Sequence, residues 1–226
     1  MKCQYCRSRS IKYGKQNDIQ RYKCKNCNKT QLAEYKNKAW LPQSKELFIK
    51  SLGCGVGVRR MAYLIGISKP TILKWIKEGR RFKGIDIKKV LPNDEYEIDE
   101  MQTLVGKKGN KTWITYAISR TTRLPIALKV GRRTKESLKQ VVDKVLSLYP
   151  KRIYTDGLDI YKTLIPKYLH KSGRRRINYI ERKNLTLRER IKRICRKTIS
   201  YTKKEEMLDY HLRWYFWATD YNNFKP

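Results

Sequence analysis

Acid is scarce in this sequence beside its base. Its 226 residues carry 20 Asp plus Glu against 54 Lys plus Arg, so the formal charge is 54 minus 20, or +34. A surplus that large disfavours self-association of the bare chain. It selects a polyanionic partner, with nucleic acid first, because each neutralised phosphate releases condensed counterions. Histidine is almost absent too: there are two, His170 in a basic stretch and His211 in a helical pattern. Neither forms a Ser-His or Cys-His catalytic pair. Long apolar runs are missing. No stretch approaches the roughly 18 consecutive apolar residues of a membrane span, and the N-terminus reads Lys, Cys, Arg instead of a signal-peptide run. A soluble, intracellular protein without a membrane partner is expected. Disorder is excluded by what is present: 40% hydrophobic residues with 16 Tyr and 5 Trp can bury a core.

Six cysteines fall into a pattern for four of them. Cys3 and Cys6 form one C-x2-C pair, and Cys24 and Cys27 form a second after 17 intervening residues. Each such knuckle presents two thiolates to one ion, and two of them complete the tetrahedral set that zinc prefers. A reducing compartment favours this over disulfides. The span 1–36 is therefore read as a zinc ribbon whose folding free energy comes from the metal, with a short hairpin between the knuckles. Cys54 and Cys195 lie in helical patterns and read as small core residues.

Three short helices follow within 40–80. Pro42 and Ser44 open the first, which glycines at 53, 55 and 57 end; Val58 to Ile65 forms the second; Gly66 turns the chain and Ser68 caps a third from Lys69 to Glu78. Small Ala62 and Gly66 stand where two helices meet closely. This is a helix-turn-helix pattern, in which the early residues of the last helix face base edges, so Lys69, Thr71 and Lys74 are the candidate readers. A basic linker, 81–92, comes next.

Asp94, Glu95, Glu97, Asp99 and Glu100 then place five of the 20 acids within seven residues. Carboxylates so close repel one another unless solvated or holding cations. Tyr96, Ile98, Met101, Leu104 and Val105 make the same segment a strand. Two more strands, near Trp113–Ile118 and Pro125–Val130, precede a helix capped by Thr134 and ended by Pro150, a strand from Arg152 to Thr155, then more helix. Three strands in a meander, a helix and a strand is the order of an α/β ribonuclease H-like fold, assigned to 93–226. In that fold an acid midway along the first strand and one ending the fourth lie side by side; Asp99 and Asp156 occupy those places. A third acid normally comes from a later helix, and Glu181 begins one. Three such carboxylates hold two magnesium or manganese ions that act on a phosphodiester. Glu97 shares the strand face of Asp99 and would replace it if the register were wrong by two. Strand alternation sends Glu100 to the opposite face.

These motifs resemble transposases of the bacterial insertion-sequence-one family, within the Asp-Asp-Glu transposase and integrase group. The resemblance runs almost end to end: the ribbon cysteines, the three helices, Ile98-Asp99-Glu100-Met101, Tyr154-Thr155-Asp156-Gly157, Ile180 to Leu185, Leu187-Arg188, and Arg193 through Arg196, Lys197 and Thr198. It implies that Arg188, seven residues after Glu181 on the same helical face, touches DNA near the active site. Gln102 departs from the pattern, where many relatives carry an aromatic residue. From Lys171 to Ser200, 12 basic and 2 acidic residues give a net +10 around Glu181. That stretch reads as a DNA cradle that includes Arg193, Arg196 and Lys197. The tail from Tyr201 to Phe224, with eight aromatics in 24 residues, reads as a packed helix.

The resulting expectation is a DNA transposase acting in a prokaryotic cytoplasm at the nucleoid, as a homodimer or higher oligomer on DNA. The ribbon and helix-turn-helix would find terminal inverted repeats, and the acids would cleave there and join the 3′-OH to target DNA. The rival readings are a hydrolytic structure-specific nuclease and a DNA-binding regulator with an inactive ribonuclease H-like core.

Overall fold

The computed structural model describes residues 1–35, 37–82, 84, 90–91, 93–107, 109–173, 176–195 and 202–218. Most of the expected basic linker lies outside these residues, as do Arg196 and Lys197. Strands β1 (Ser10–Gln16), β2 (Ile19–Cys24) and β3 (Thr30–Leu32) form an antiparallel sheet in that order. The β1–β2 hairpin turns at Asn17 and Asp18, both at positive φ, the conformation that a two-residue turn between right-twisted strands demands.

Helix α1 (Pro42–Gly53) starts with Pro42 at its first turn, where a missing N–H costs nothing. Helix α2 (Val58–Ile65) ends at Gly66 with φ +70°, a left-handed residue whose N–H bonds back to Ala62 and Tyr63. Ser68 then caps α3 (Lys69–Lys77), its Oγ accepting from Thr71 N at 3.4 Å. The bounds match the helix signals in the sequence.

The larger sheet holds β4 (Glu95–Leu104), β5 (Lys111–Ser119) and β6 (Pro125–Gly131), followed by α4 (Lys135–Leu146), β7 (Arg152–Thr155), α5 (Ile160–Leu164), β8 (His170–Ser172), α6 (Asn178–Arg190) and α7 (Glu205–Trp217). Its order is β6-β5-β4-β7-β8. The first three strands are mutually antiparallel, whereas β7 runs parallel to β4 and β8 parallel to β7. This mixed α/β sheet fits a ribonuclease H-like domain. Strand β8 is not among the strands the sequence predicts; the Nε2 of His170, at its start, lies 2.8 Å from Thr155 Oγ1, tying β8 to β7.

Alternation along β4 divides two cores. Tyr96 and Ile98 face α4 and α5, with Leu138, Val142, Ile153 and Tyr161. Met101, with Ile114, Tyr116 and Ile118 of β5, faces α6 and α7. That second core continues into α1–α3: Phe48 meets Trp75 and Trp214 edge-on at 5.3 Å each, and Trp214 Nε1 donates to Trp75 O at 2.9 Å. The aromatic tail helix thus joins the three-helix module to the sheet, so both share one apolar core. Cys54, expected in a core, is exposed just after α1, and Cys195 is half-buried.

Candidate functional site

The two cysteine knuckles are built alike. In each, the residue after the second cysteine takes positive φ, Arg7 in one and Asn28 in the other, and its N–H bonds back to the carbonyl of Cys3 or Cys24. The four sulfurs lie within 4.8 Å of one another, with Cys3–Cys27 at 3.6 Å and Cys6–Cys24 at 3.4 Å. Ligands about 2.3 Å from a tetrahedral zinc stand about 3.8 Å apart, so the spacing suits that ion. The backbone N–H and then the hydroxyl of Ser8 draw the Cys6 thiol down to about 6, whereas, against the Lys29 N–H, burial and the other three sulfurs push Cys27 up to about 11, the division expected of four thiols sharing one site.

The carboxylates meet where the β4–β7 ladder ends. Pairing stops at Glu97 opposite Tyr154, so beyond it β4 and the chain after β7 leave an open seam. Asp99 from β4 and Asp156 just past β7 face each other across it, as the strand order anticipates. Glu100 stands with them: oxygens of Asp99, Glu100 and Asp156 all lie within 4.8 Å of one another. Alternation does put Glu100 on the other face, but its longer side chain reaches the seam. There the Tyr161 hydroxyl donates to it, and Arg133 Nη2 lies 3.5 Å away. Glu181 sits exposed in the first turn of α6, outside that group.

Helix α6 is clamped along β4 at two points. Ile180 N donates to Glu97 Oε2 at 2.8 Å, and Asn184 Nδ2 donates to Asp99 Oδ2 at 2.7 Å. Four residues of helix rise about 6 Å and two residues of strand about 6.6 Å, so the registers match. Glu97 is fully buried and also pairs with Arg120 Nε at 3.1 Å, so it anchors α6 and stands outside the group of Asp99, Glu100 and Asp156. Asn184 is oriented in turn by the Tyr116 hydroxyl, which donates to its Oδ1 at 2.8 Å. Sequence reasoning passed over Asn184 and Tyr116. Asn184 carried a signal, standing three residues after Glu181 on the same helical stripe; Tyr116 carried none.

Burial, reinforced by the charges of Glu100 and Asp156, pushes the Asp99 carboxyl up to about 7 despite the Asn184 hydrogen bond. Burial and Asp156 likewise raise Glu100 against the pull of Tyr161 and Arg133. Acids strained in this way gain most from a cation, and an all-oxygen donor set suits magnesium or manganese.

The other candidate residues are dispersed. Lys69 and Lys74 are exposed on α3, while Thr71 is half-buried and its Oγ1 lies 2.9 Å from Ser68 Oγ. Arg188 is half-buried in the last turn of α6. Arg193 follows α6 with Nη1 3.5 Å from Thr202 Oγ1. Among the described residues no helix is long and apolar enough to cross a membrane.

Comparison with known proteins gives one family. The sequence model described as IS1 transposase matches residues 95–222. The insertion element iso-IS1n protein InsB of Shigella dysenteriae is 34% identical over 111 residues, covering 49% of this chain and 85% of that protein. The IS1 protein InsB of Shigella flexneri is 34% identical over 114 residues, 50% of this chain and 86% of its own. The IS1 4 protein InsB of Escherichia coli (strain K12) matches at 34%, over 50% of this chain and 68% of that protein. These matches span about half of the chain, against the almost end-to-end resemblance of the motifs.

Proposed function

Because the chain belongs to the IS1 transposase family, we propose that it is the transposition enzyme of an insertion element, binding the element's terminal inverted repeats, cleaving there and joining the freed 3′-OH to target DNA. The observation that carries this reading is the meeting of Asp99 and Asp156, 57 residues apart in sequence, at the seam of the sheet. Asp99 and Asp156 would hold two divalent ions, with Glu181 as the third acid. It lies one turn before Asn184, the α6 residue whose side chain donates to Asp99. Bound there, such ions activate the attacking oxygen and relieve charge on the leaving oxygen of a phosphodiester. Asn184 holds Oδ2 of Asp99 and leaves Oδ1 for a ligand. Arg188, Arg193, Arg196 and Lys197 supply cations along the approaching backbone.

Four thiolates at Cys3, Cys6, Cys24 and Cys27 make residues 1–36 a zinc ribbon. Helices α2 and α3, joined at Gly66, act as a helix-turn-helix in which Lys69, Thr71 and Lys74 read the repeat; Thr71 also serves the cap. Residues 81–92 connect this module to a catalytic domain from residue 93 onward. The enzyme works as a homodimer or higher oligomer assembled on DNA.

Glu100 is the specific alternative for the third acid, on the strength of its place beside Asp99 and Asp156. The test is cleavage and strand transfer on a duplex carrying one element end, in magnesium. Asp99→Asn and Asp156→Asn should abolish both while end binding persists. Glu181→Gln should do the same, and Glu100→Gln should leave measurable cleavage. Loss with Glu100→Gln and retention with Glu181→Gln would exchange the two residues. Cleavage by both Asp variants would end the transposase mechanism for this chain, and cleavage without joining in the unsubstituted protein would favour a nuclease.

A further inference from the structure

A cleft of about 1170 Å3 opens between the three-helix module and a wall made of the chain leaving α6, the residues before α7 and the first half of α7. Arg59, Arg60, Lys77 and Arg80 line one wall. Four more Lys or Arg residues, among them Arg193, line the other, and the cleft has one acid, Glu206. Among the described residues none of these eight cations forms an ion pair with a carboxylate. Such a gathering of unpaired like charge costs stability unless an anion lies between the walls.

The placement of Arg59 and Arg60 is unfavourable in its own right. They are the second and third residues of α2, whose cap is Gly57 with no side-chain hydrogen bond and whose first turn holds no acid. The positive end of the helix dipole disfavours a cation there, and the first N–H groups of a helix have no acceptor within it. An anion reverses both effects. A separate observation lies in the opposite wall. His211 is 4% exposed and lines the cleft, and among the described residues its Nδ1 has no hydrogen-bond partner. Burial, aided by the Arg193 charge, pushes it down to about 3, so it is a neutral ring at working pH.

The two walls are held at a fixed distance. A Cβ at Gly55 would stand 1.7 Å from the carbonyl oxygen of Arg190, so only glycine lets the chain before α2 rest on the end of α6. Around α3, at about 100° per residue, Leu73 and Lys77 of the cleft wall fall within about 100° of Lys74. The cleft therefore continues the surface that carries the candidate reader, and ends at the chain leaving α6, the helix that grips Asp99.

We propose that this cleft binds the DNA sugar-phosphate backbone between the sequence that α3 reads and the carboxylates, with a phosphate seated on the N-terminus of α2 between Arg59 and Arg60. The assignment rests on DNA being the substrate. It makes α2 a phosphate clamp and not merely the scaffold of α3.

The test is the double variant Arg59→Ala/Arg60→Ala in the full chain, with affinity for an element-end duplex and for a random duplex measured across salt concentrations. Two lost phosphate contacts should lower the salt slope by about 1.8 and weaken binding roughly 60-fold at 0.1 M salt, equally on both duplexes. The melting temperature of the free protein should stay constant or rise, because the dipole conflict is removed; a scaffold role would lower it. Gly55→Ala, which forces the walls apart, should weaken DNA binding in the same sequence-independent way. Unchanged affinity and slope in the double variant, with the unsubstituted protein binding DNA normally, overturn the cleft and leave the transposase reading intact. Failure of the unsubstituted protein to bind either duplex overturns both.

Discussion

Replacing Asn184 by alanine is the sharpest test of how the carboxylates are held. Asn184 is buried, its Nδ2 reaches Asp99 Oδ2 at 2.7 Å, and its Oδ1 accepts from Tyr116 at 2.8 Å. The Tyr116 hydroxyl also lies 3.4 Å from Ile180 O, so it retains an acceptor when the amide is gone. The loss therefore falls mainly on Asp99. A hydrogen bond to an ionised group contributes about 1.5–3 kcal/mol, and at about 1.4 kcal/mol per tenfold this is roughly 10- to 150-fold in the affinity of the site for its ion. Outer-shell partners of metal ligands cost about 10- to 100-fold when removed, which agrees. Cleavage of an element-end duplex should be titrated with Mg2+ and Mn2+ and the half-saturating concentration compared. Asn184→Ala should raise it by at least tenfold, with element-end binding unchanged. Tyr116→Phe keeps the ring against Phe216 but frees the amide to rotate, so it should move the same midpoint by less. A folded Asn184→Ala protein whose metal midpoint and rate stay within about twofold of the unsubstituted enzyme would refute the positioning role.

Cys24→Ser removes one of four sulfurs spaced for zinc, so the one zinc expected to copurify should be lost while the sheet domain still melts cooperatively; full occupancy by metal analysis would remove the ribbon assignment. Lys74→Ala should weaken binding to terminal repeats more than to random duplex, since a base contact discriminates and a phosphate contact does not; an equal loss in a competition assay would make Lys74 a backbone contact. Asp99, raised to about 7 from its ordinary 3.8, keeps a proton in the folded metal-free chain that the unfolded chain releases near pH 4. Its contribution to stability is therefore present at low pH and falls as pH rises through that window. A divalent ion replaces the proton, so the gain in melting temperature on adding Mg2+ should be larger near pH 8 than near pH 5.5; equal gains would show that Asp99 is not a ligand.

Local physics is what the sequence by itself determined. Knuckle spacing, Pro42, the Gly66 turn, the Ser68 cap and the change from alternating to helical periodicity after Val130 are each decided within a few residues, and the elements begin and end where these signals stand. The pairing of Asp99 with Asp156 was legible as well, because strand order and the position of an acid along a strand carry over to a known sheet arrangement. Tertiary structure decided the rest. Glu100 joins the acids because the β4–β7 ladder stops short of it and opens a seam, which no alternation rule can see. Strand β8 exists because β7 offers a free edge, not because His170 to Ser172 has a strong pattern of its own. Asn184 finds Asp99, and Arg59 and Arg193 come to line one cleft, through the docking of α6 and α7 on distant elements. Such contacts depend on where two separately formed surfaces meet, and that is settled by the shape of the shared core, not by any short run of residues.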